Sequence, residues 1–129
     1  MDEKRIKVMV VEDSALIVQR LYSILSEINF IKSIAHAKNG EEAITLMKLI
    51  NPELILLDIK MPGINGIEVL KHVKQEYSDT RVVMLTNYPN MQYKEFCIGL
   101  GADHFLDKST EFNRISDIVT AMQGIIPMN

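Results

Sequence analysis

Five residues at the ends of apolar runs carry the chemistry of this sequence. Glu12 and Asp13 are adjacent acids directly after Ile6–Val11, and Asp58 follows Leu54–Leu57. Thr86 follows Arg81–Leu85, and Lys108 comes just after Asp103–Leu106. If the first and third runs lie side by side, three carboxylates meet within several ångströms. Two such charges ~4 Å apart repel by about 4 kcal/mol at an effective dielectric of about 20. The cluster is costly unless a cation sits in it, and hard oxygen ligands in a partly hydrated site favour Mg²⁺. Thr86 adds a hydroxyl donor, and Lys108 adds a mobile cation on the other side of Asp58. Three acids for a metal and two donors facing an anion suit phosphoryl transfer, in which cations neutralise oxygens while a carboxylate attacks in line.

Such residues work only if the backbone brings them to one edge. The chain alternates two hydrophobic periods five times. Ile6–Val11 is short and rich in Val and Ile, as a strand buried on both faces is. From Ser14 to Ile28 the apolar residues Ile17, Leu21, Ile24, Leu25 and Ile28 form the stripe of an amphipathic helix. Ile31–Ala37 reads as a second strand whose Lys32, Ser33 and His36 suit a sheet edge. Asn39-Gly40 is a turn signal; Ala43, Leu46, Met47 and Ile50 stripe the next helix, and Asn51-Pro52 stops it. Leu54–Leu57 is the third strand, Pro62-Gly63 a loop, and Val69, Leu70, Val73 and Tyr77 mark a third helix.

Arg81–Leu85 reads as the fourth strand and Met91–Leu100 as the fourth helix, with Gly101 at its end. Asp103–Leu106 is a short fifth strand. Ser109 or Thr110 is expected to cap a last helix striped by Phe112, Ile115, Ile118, Val119 and Met122, with Gly124 and Pro127 ending it. Five β-α units with short connections predict an α/β fold, a doubly wound parallel sheet with helices on both faces. Such sheets bind ligands at the carboxyl ends of their strands, where the strand order reverses.

Length and composition set the outer bounds. A chain of 129 residues predicts one domain, with 47% apolar and 24% charged residues as in ordinary globular proteins. Fourteen Lys and Arg against seventeen Asp and Glu give a net charge of −3, which argues against a nucleic-acid partner. Cys97 is the only cysteine, so neither an internal disulfide nor a thiolate metal cluster forms. The apolar runs are too short to span a membrane. The opening MDEKRIK has no hydrophobic signal region, which places the expected site of action in the cytoplasm.

Single positions test other functional classes. A phosphatase of the haloacid dehalogenase type needs a second acid two residues after its nucleophile, where Lys60 stands. A flavodoxin-like carrier needs a Ser/Thr/Gly-rich phosphate loop after the first strand, where Glu12 and Asp13 would repel the flavin phosphate. A dinucleotide-binding domain needs G-x-G-x-x-G, which does not occur. His36, His72 and His104 fall on different elements without ligand spacing, and no chemistry is assigned to them.

In order, Glu12-Asp13, Asp58-Ile59-Lys60-Met61-Pro62-Gly63 with Gly66, Thr86, Gly101-Ala102-Asp103 and Lys108 resemble the receiver domain of two-component response regulators, from Lys7 to about Met122. The resemblance implies a flavodoxin-like, five-stranded sheet of order 2-1-3-4-5. It also implies one receiver domain over 1–129, with its core at about 5–124 and no output domain in the chain. By that resemblance Asp58 is the phosphoacceptor. Asp13, Asp58 and the backbone carbonyl of Lys60 hold Mg²⁺, with Glu12 acting mainly through water. Thr86 and Lys108 contact the phosphoryl oxygens, and Phe105 matches the switch aromatic that turns inward as the threonine moves toward the phosphate.

The implied activity is acceptance of a phosphoryl group from a sensor histidine kinase or phosphotransfer protein. The chain would catalyse only its own phosphorylation and dephosphorylation, with no turnover substrate. It would then switch binding of an output protein at the face of the fourth helix, fifth strand and fifth helix, with neither nucleic acid nor membrane as partner. The alternatives are a phosphate-independent interaction module on the same fold, or an intermediate receiver in a phosphorelay. Two positions depart from the family pattern. Ser109 stands where proline usually follows the lysine, often across a cis bond; before a non-proline residue that bond costs ~2.5–4 kcal/mol, which counts against the usual loop geometry without excluding it. Asn87 stands where a small residue is usual and is expected to restrict the phosphodonor or the attacking water. Lys60 and Tyr88 occupy positions that tune dephosphorylation in the family.

Overall fold

A computed structural model describes residues 5–124. Five parallel strands, β1 (Ile6–Val11), β2 (Ile31–Ala37), β3 (Leu54–Asp58), β4 (Arg81–Thr86) and β5 (His104–Asp107), lie in the order β2-β1-β3-β4-β5. The helices between and after them are α1 (Ala15–Leu25), α2 (Gly40–Ile50), α3 (Gly66–Glu76), α4 (Met91–Gly99) and α5 (Arg114–Ala121). The more polar β2 is an edge strand, as its composition indicates. No helix among the described residues is long and apolar enough to cross a membrane.

The strand residues alternate between two cores. Met9, Val11, Ile55, Leu57, Val82 and Met84 face the side covered by α2, α3 and α4, together with Ala43, Met47, Val69, Leu70, Val73 and Cys97. Val8, Val10, Leu54, Leu56, Val83 and Leu85 face α1 and α5, with Leu21, Leu25, Ile115 and Val119. Burial on both faces is why Val8–Val11 of β1 and Leu54–Leu57 of β3 are unbroken apolar runs. It also leaves the strand ends, and not the faces, as the place for polar groups.

Several boundaries differ from the sequence reading. α1 ends at Leu25 rather than Ile28, because the chain turns back there toward β2, with Ile28 N–H donating to the Leu25 carbonyl. Ile28 still packs on the core from outside the helix. Asn39-Gly40 is the start of α2 rather than a free turn, with the Asn39 side chain accepting from Glu42 N–H at 2.9 Å. β5 begins at His104, since Asp103 instead accepts from Val82 N–H at 2.8 Å and pairs with Lys74.

The largest correction lies after Lys108. Ser109 and Thr110 do not cap the last helix, which starts at Arg114 without a side-chain cap. Their hydroxyls donate instead to the Asp107 carboxylate, at 2.7 and 3.0 Å, and Ser109 N–H donates to it at 2.9 Å. These bonds close a turn around Lys108, and no peptide bond among the described residues is cis. Met122–Gly124 continues α5 as a 3₁₀ turn; the expected stop at Pro127 lies outside the described residues.

Candidate functional site

The parallel register brings the ends of β1 and β3 together, with Val11 opposite Leu57. The next residues along each strand are therefore Glu12 with Asp13 and Asp58. One carboxylate oxygen from each of the three lies within 4.8 Å of the others. The β3–β4 and β4–β5 ladders set the other wall, because Asp58 lies opposite Leu85 and Thr86 opposite Asp107. Glu12, Asp13, Asp58, Lys60, Thr86 and Lys108 line one cavity of about 320 Å³. A larger depression of about 890 Å³ lies between α1 and α5, but among the described residues its charged lining groups are Arg20 and Glu27 alone. Size therefore does not locate the chemistry.

Lys108 departs from its expected place. Its Nζ is buried between two acids rather than standing beyond Asp58, 2.6 Å from Glu12 Oε1 and 3.2 Å from Asp58 Oδ1. The turn around Asp107 and the Lys108 N–H bond to the Thr86 carbonyl at 2.8 Å send the side chain inward. Glu12 is held further by Ser14 N–H, which donates to Oε2 at 3.0 Å. Its Oε1 touches Lys108 by charge alone and accepts no aligned hydrogen bond. Thr86 Oγ1 accepts from Tyr88 N–H at 3.0 Å, which leaves the hydroxyl proton to donate elsewhere.

One ammonium faces three carboxylates. Burial, and next the Glu12 charge, push the Asp58 carboxyl up from 3.8 to about 6, against the pull of Lys108. The chain's own cation thus leaves the cluster undercompensated. Hard carboxylate oxygens, a buried acceptor without an aligned donor and unbalanced negative charge together fit a hard divalent cation.

The close approach of α3 behind Asp58 requires Gly66. A Cβ there would run into the Asp58 carbonyl oxygen, while Gly66 N–H donates to the Ile59 carbonyl at 2.7 Å. At the mouth, Leu16, Ile17, Asn87 and Tyr88 complete the wall, and Lys60 Nζ sits 4.4 Å from the Tyr88 ring centroid. Phe105 is not in this cavity. Its side chain is buried in the α2–α3–α4 core.

Comparison with known proteins decides among the folds that could carry such a cluster. The response regulator receiver domain family matches residues 8–120. This chain belongs to that family. The receiver is 34% identical over 119 residues to a protein-glutamate methylesterase/protein-glutamine glutaminase of Clostridium acetobutylicum, an alignment covering 88% of this chain and 34% of that protein. The receiver thus spans about a third of that relative's length. Protein CcdB of Bacillus subtilis is 31% identical over 118 residues, covering 92% of this chain and 98% of that protein. Among solved structures, the signal receiver domain of the putative response regulator NarL from Mycobacterium tuberculosis superimposes with a TM-score of 0.84 at 26% identity. That match covers 94% of this chain and 98% of the other.

The residues missed from sequence differ in how visible they were. Asp107 followed by Ser109 and Thr110 is a readable side-chain turn signal. Ser14, whose N–H holds Glu12, reads locally only as a cap.

Proposed function

We propose that this receiver takes a phosphoryl group from a phosphohistidine of a sensor histidine kinase or phosphotransfer protein in the cytoplasm onto Asp58. The observation that supports this reading is the convergence of three carboxylates within 4.8 Å, with Lys108 3.2 Å from Asp58 and Thr86 in the same cavity. An Asp58 carboxylate oxygen attacks phosphorus, the P–N bond breaks, and the imidazole leaves with the electron pair. The product is an acyl phosphate. Water later attacks phosphorus, returning the carboxylate and inorganic phosphate, so no separate substrate turns over.

Asp13, Asp58 and the Lys60 carbonyl would hold Mg²⁺, with Glu12 behind them. The bound ion supplies charge neutralisation for the transferring oxygens. Lys108 would shift its ammonium from Glu12 to the phosphoryl group, and the Thr86 hydroxyl would donate to it. Asp58 must be ionised to attack, and in the metal-free chain its carboxylate form prevails above about pH 6. Phe105, opposite Met84 two residues before Thr86, would couple the site to α4 and β5. α4 leaves Met91, Phe96 and Ile98 exposed, as a partner-binding face would. To move the active population from 1:99 to 99:1, phosphorylation must favour that form by about 5.5 kcal/mol.

Incubation with Mg²⁺ and acetyl phosphate, followed by intact-mass measurement, tests the reading. A single adduct of about 80 Da, one phosphoryl group, is expected in the wild type and absent in Asp58→Asn. An adduct of equal yield in Asp58→Asn refutes the assignment.

A further inference from the structure

One polar contact beside the acid cavity is not used by the chemistry above. His36 stands on β2 opposite Val10, and its Nε2 lies 2.8 Å from the backbone carbonyl oxygen of Glu12. A carbonyl only accepts, so Nε2 carries the proton and donates it. On the other side, Glu12 N–H donates to the Ala37 carbonyl at 3.0 Å. The end of β2 therefore grips Glu12 by both of its backbone groups.

The Glu12 carbonyl and the Asp13 N–H belong to one planar peptide. Holding the oxygen holds that plane and so restricts how Asp13 leaves it. Asp13 depends on this restriction. Its side chain is exposed, and among the described residues no hydrogen bond or ion pair holds its carboxylate. Glu12, by contrast, has Ser14 N–H and Lys108 on its two oxygens. A partner on the Asp13 carboxylate would compete with an ion for the same oxygens. A partner on the preceding backbone carbonyl does not.

We infer that His36 is a positioning residue for the divalent-ion site: by fixing the Glu12–Asp13 peptide it keeps the Asp13 carboxylate within reach of Glu12 and Asp58. The inference rests on the Mg²⁺ reading given above. His36 touches neither ion nor phosphate and acts through the peptide alone. Loss of a hydrogen-bonding partner behind a metal ligand typically costs at least 10-fold in affinity, and up to about 100-fold.

Calorimetric titration of the full chain with Mg²⁺ tests it, using wild type, His36→Phe and His36→Gln. Phenylalanine keeps a ring but has no donor, whereas the glutamine amide places an N–H near the Nε2 position. His36→Phe is expected to raise the Mg²⁺ Kd about 10-fold while still unfolding cooperatively in chelator, and His36→Gln to recover most of the lost affinity. An unchanged Kd in His36→Phe overturns the role of His36 and leaves the metal reading standing. Failure of His36→Gln to recover affinity also overturns it, since packing would then be the cause. Absence of Mg²⁺ binding by the wild type itself sinks the metal reading and this inference with it.

Discussion

Asp58 is a carboxylate that the fold holds at a cost. Burial and Glu12 raise its pKa from 3.8 to about 6, so between those values the native state keeps a proton that the unfolded chain has released. Stability of the metal-free protein therefore falls as pH rises through that window and levels off above it. The difference is worth at most about 3 kcal/mol. Asp58→Asn removes the titrating group and the repulsion. In chelator at neutral pH it is expected to melt above the wild type and to lose this part of the pH dependence; melting below the wild type contradicts the picture. The acids themselves were legible, because each ends a hydrophobic run. The place of Lys108 was not. Its side chain is aimed by the pairing of β4 with β5 and by the turn at Asp107, neither of which shows at a single position.

That turn carries a prediction of its own. Asp107 accepts from Ser109 N–H, Ser109 Oγ and Thr110 Oγ1, and its own N–H donates to Glu111 Oε1. The bonds that its carboxylate accepts, those from Ser109 first, lower the Asp107 pKa. Here side-chain hydrogen bonds hold a trans loop where the family usually has proline. Asp107→Ala is expected to slow adduct formation from acetyl phosphate several-fold while leaving Mg²⁺ affinity unchanged. Initial rates by intact mass and calorimetry check the pair, and an unchanged rate shows that Lys108 is held by other means. The start of α3 offers a test by sign. Glycine to alanine within a helix ordinarily stabilises by about 1 kcal/mol, but at Gly66 the new Cβ meets the Asp58 carbonyl oxygen. Gly66→Ala is expected to lower the urea midpoint; a raised midpoint means that α3 backs away freely.

Across the whole molecule, strand-end charge and fold stability form one system. An ion that binds only the native cluster adds about 2.7 kcal/mol at a hundred times its Kd, which for a chain of this length raises the melting temperature by roughly 10 °C. Thermal scans in Mg²⁺ and in chelator measure this, and Asp58→Asn is expected to shrink the difference. The sequence by itself determined the five β-α units, the two-faced burial of β1 and β3, the edge character of β2 and the five strand-end groups. Hydrophobic period and strand ends are local properties, written within a few neighbouring residues. Tertiary structure alone decided that Lys108 stands between Glu12 and Asp58, that burial and Glu12 push the Asp58 carboxyl up, that Ser109 and Thr110 serve Asp107 rather than α5, and that His36 reaches the Glu12 carbonyl. These depend on side-chain direction, lateral register and the burial of charge, which come into being only when segments distant along the chain are packed against one another.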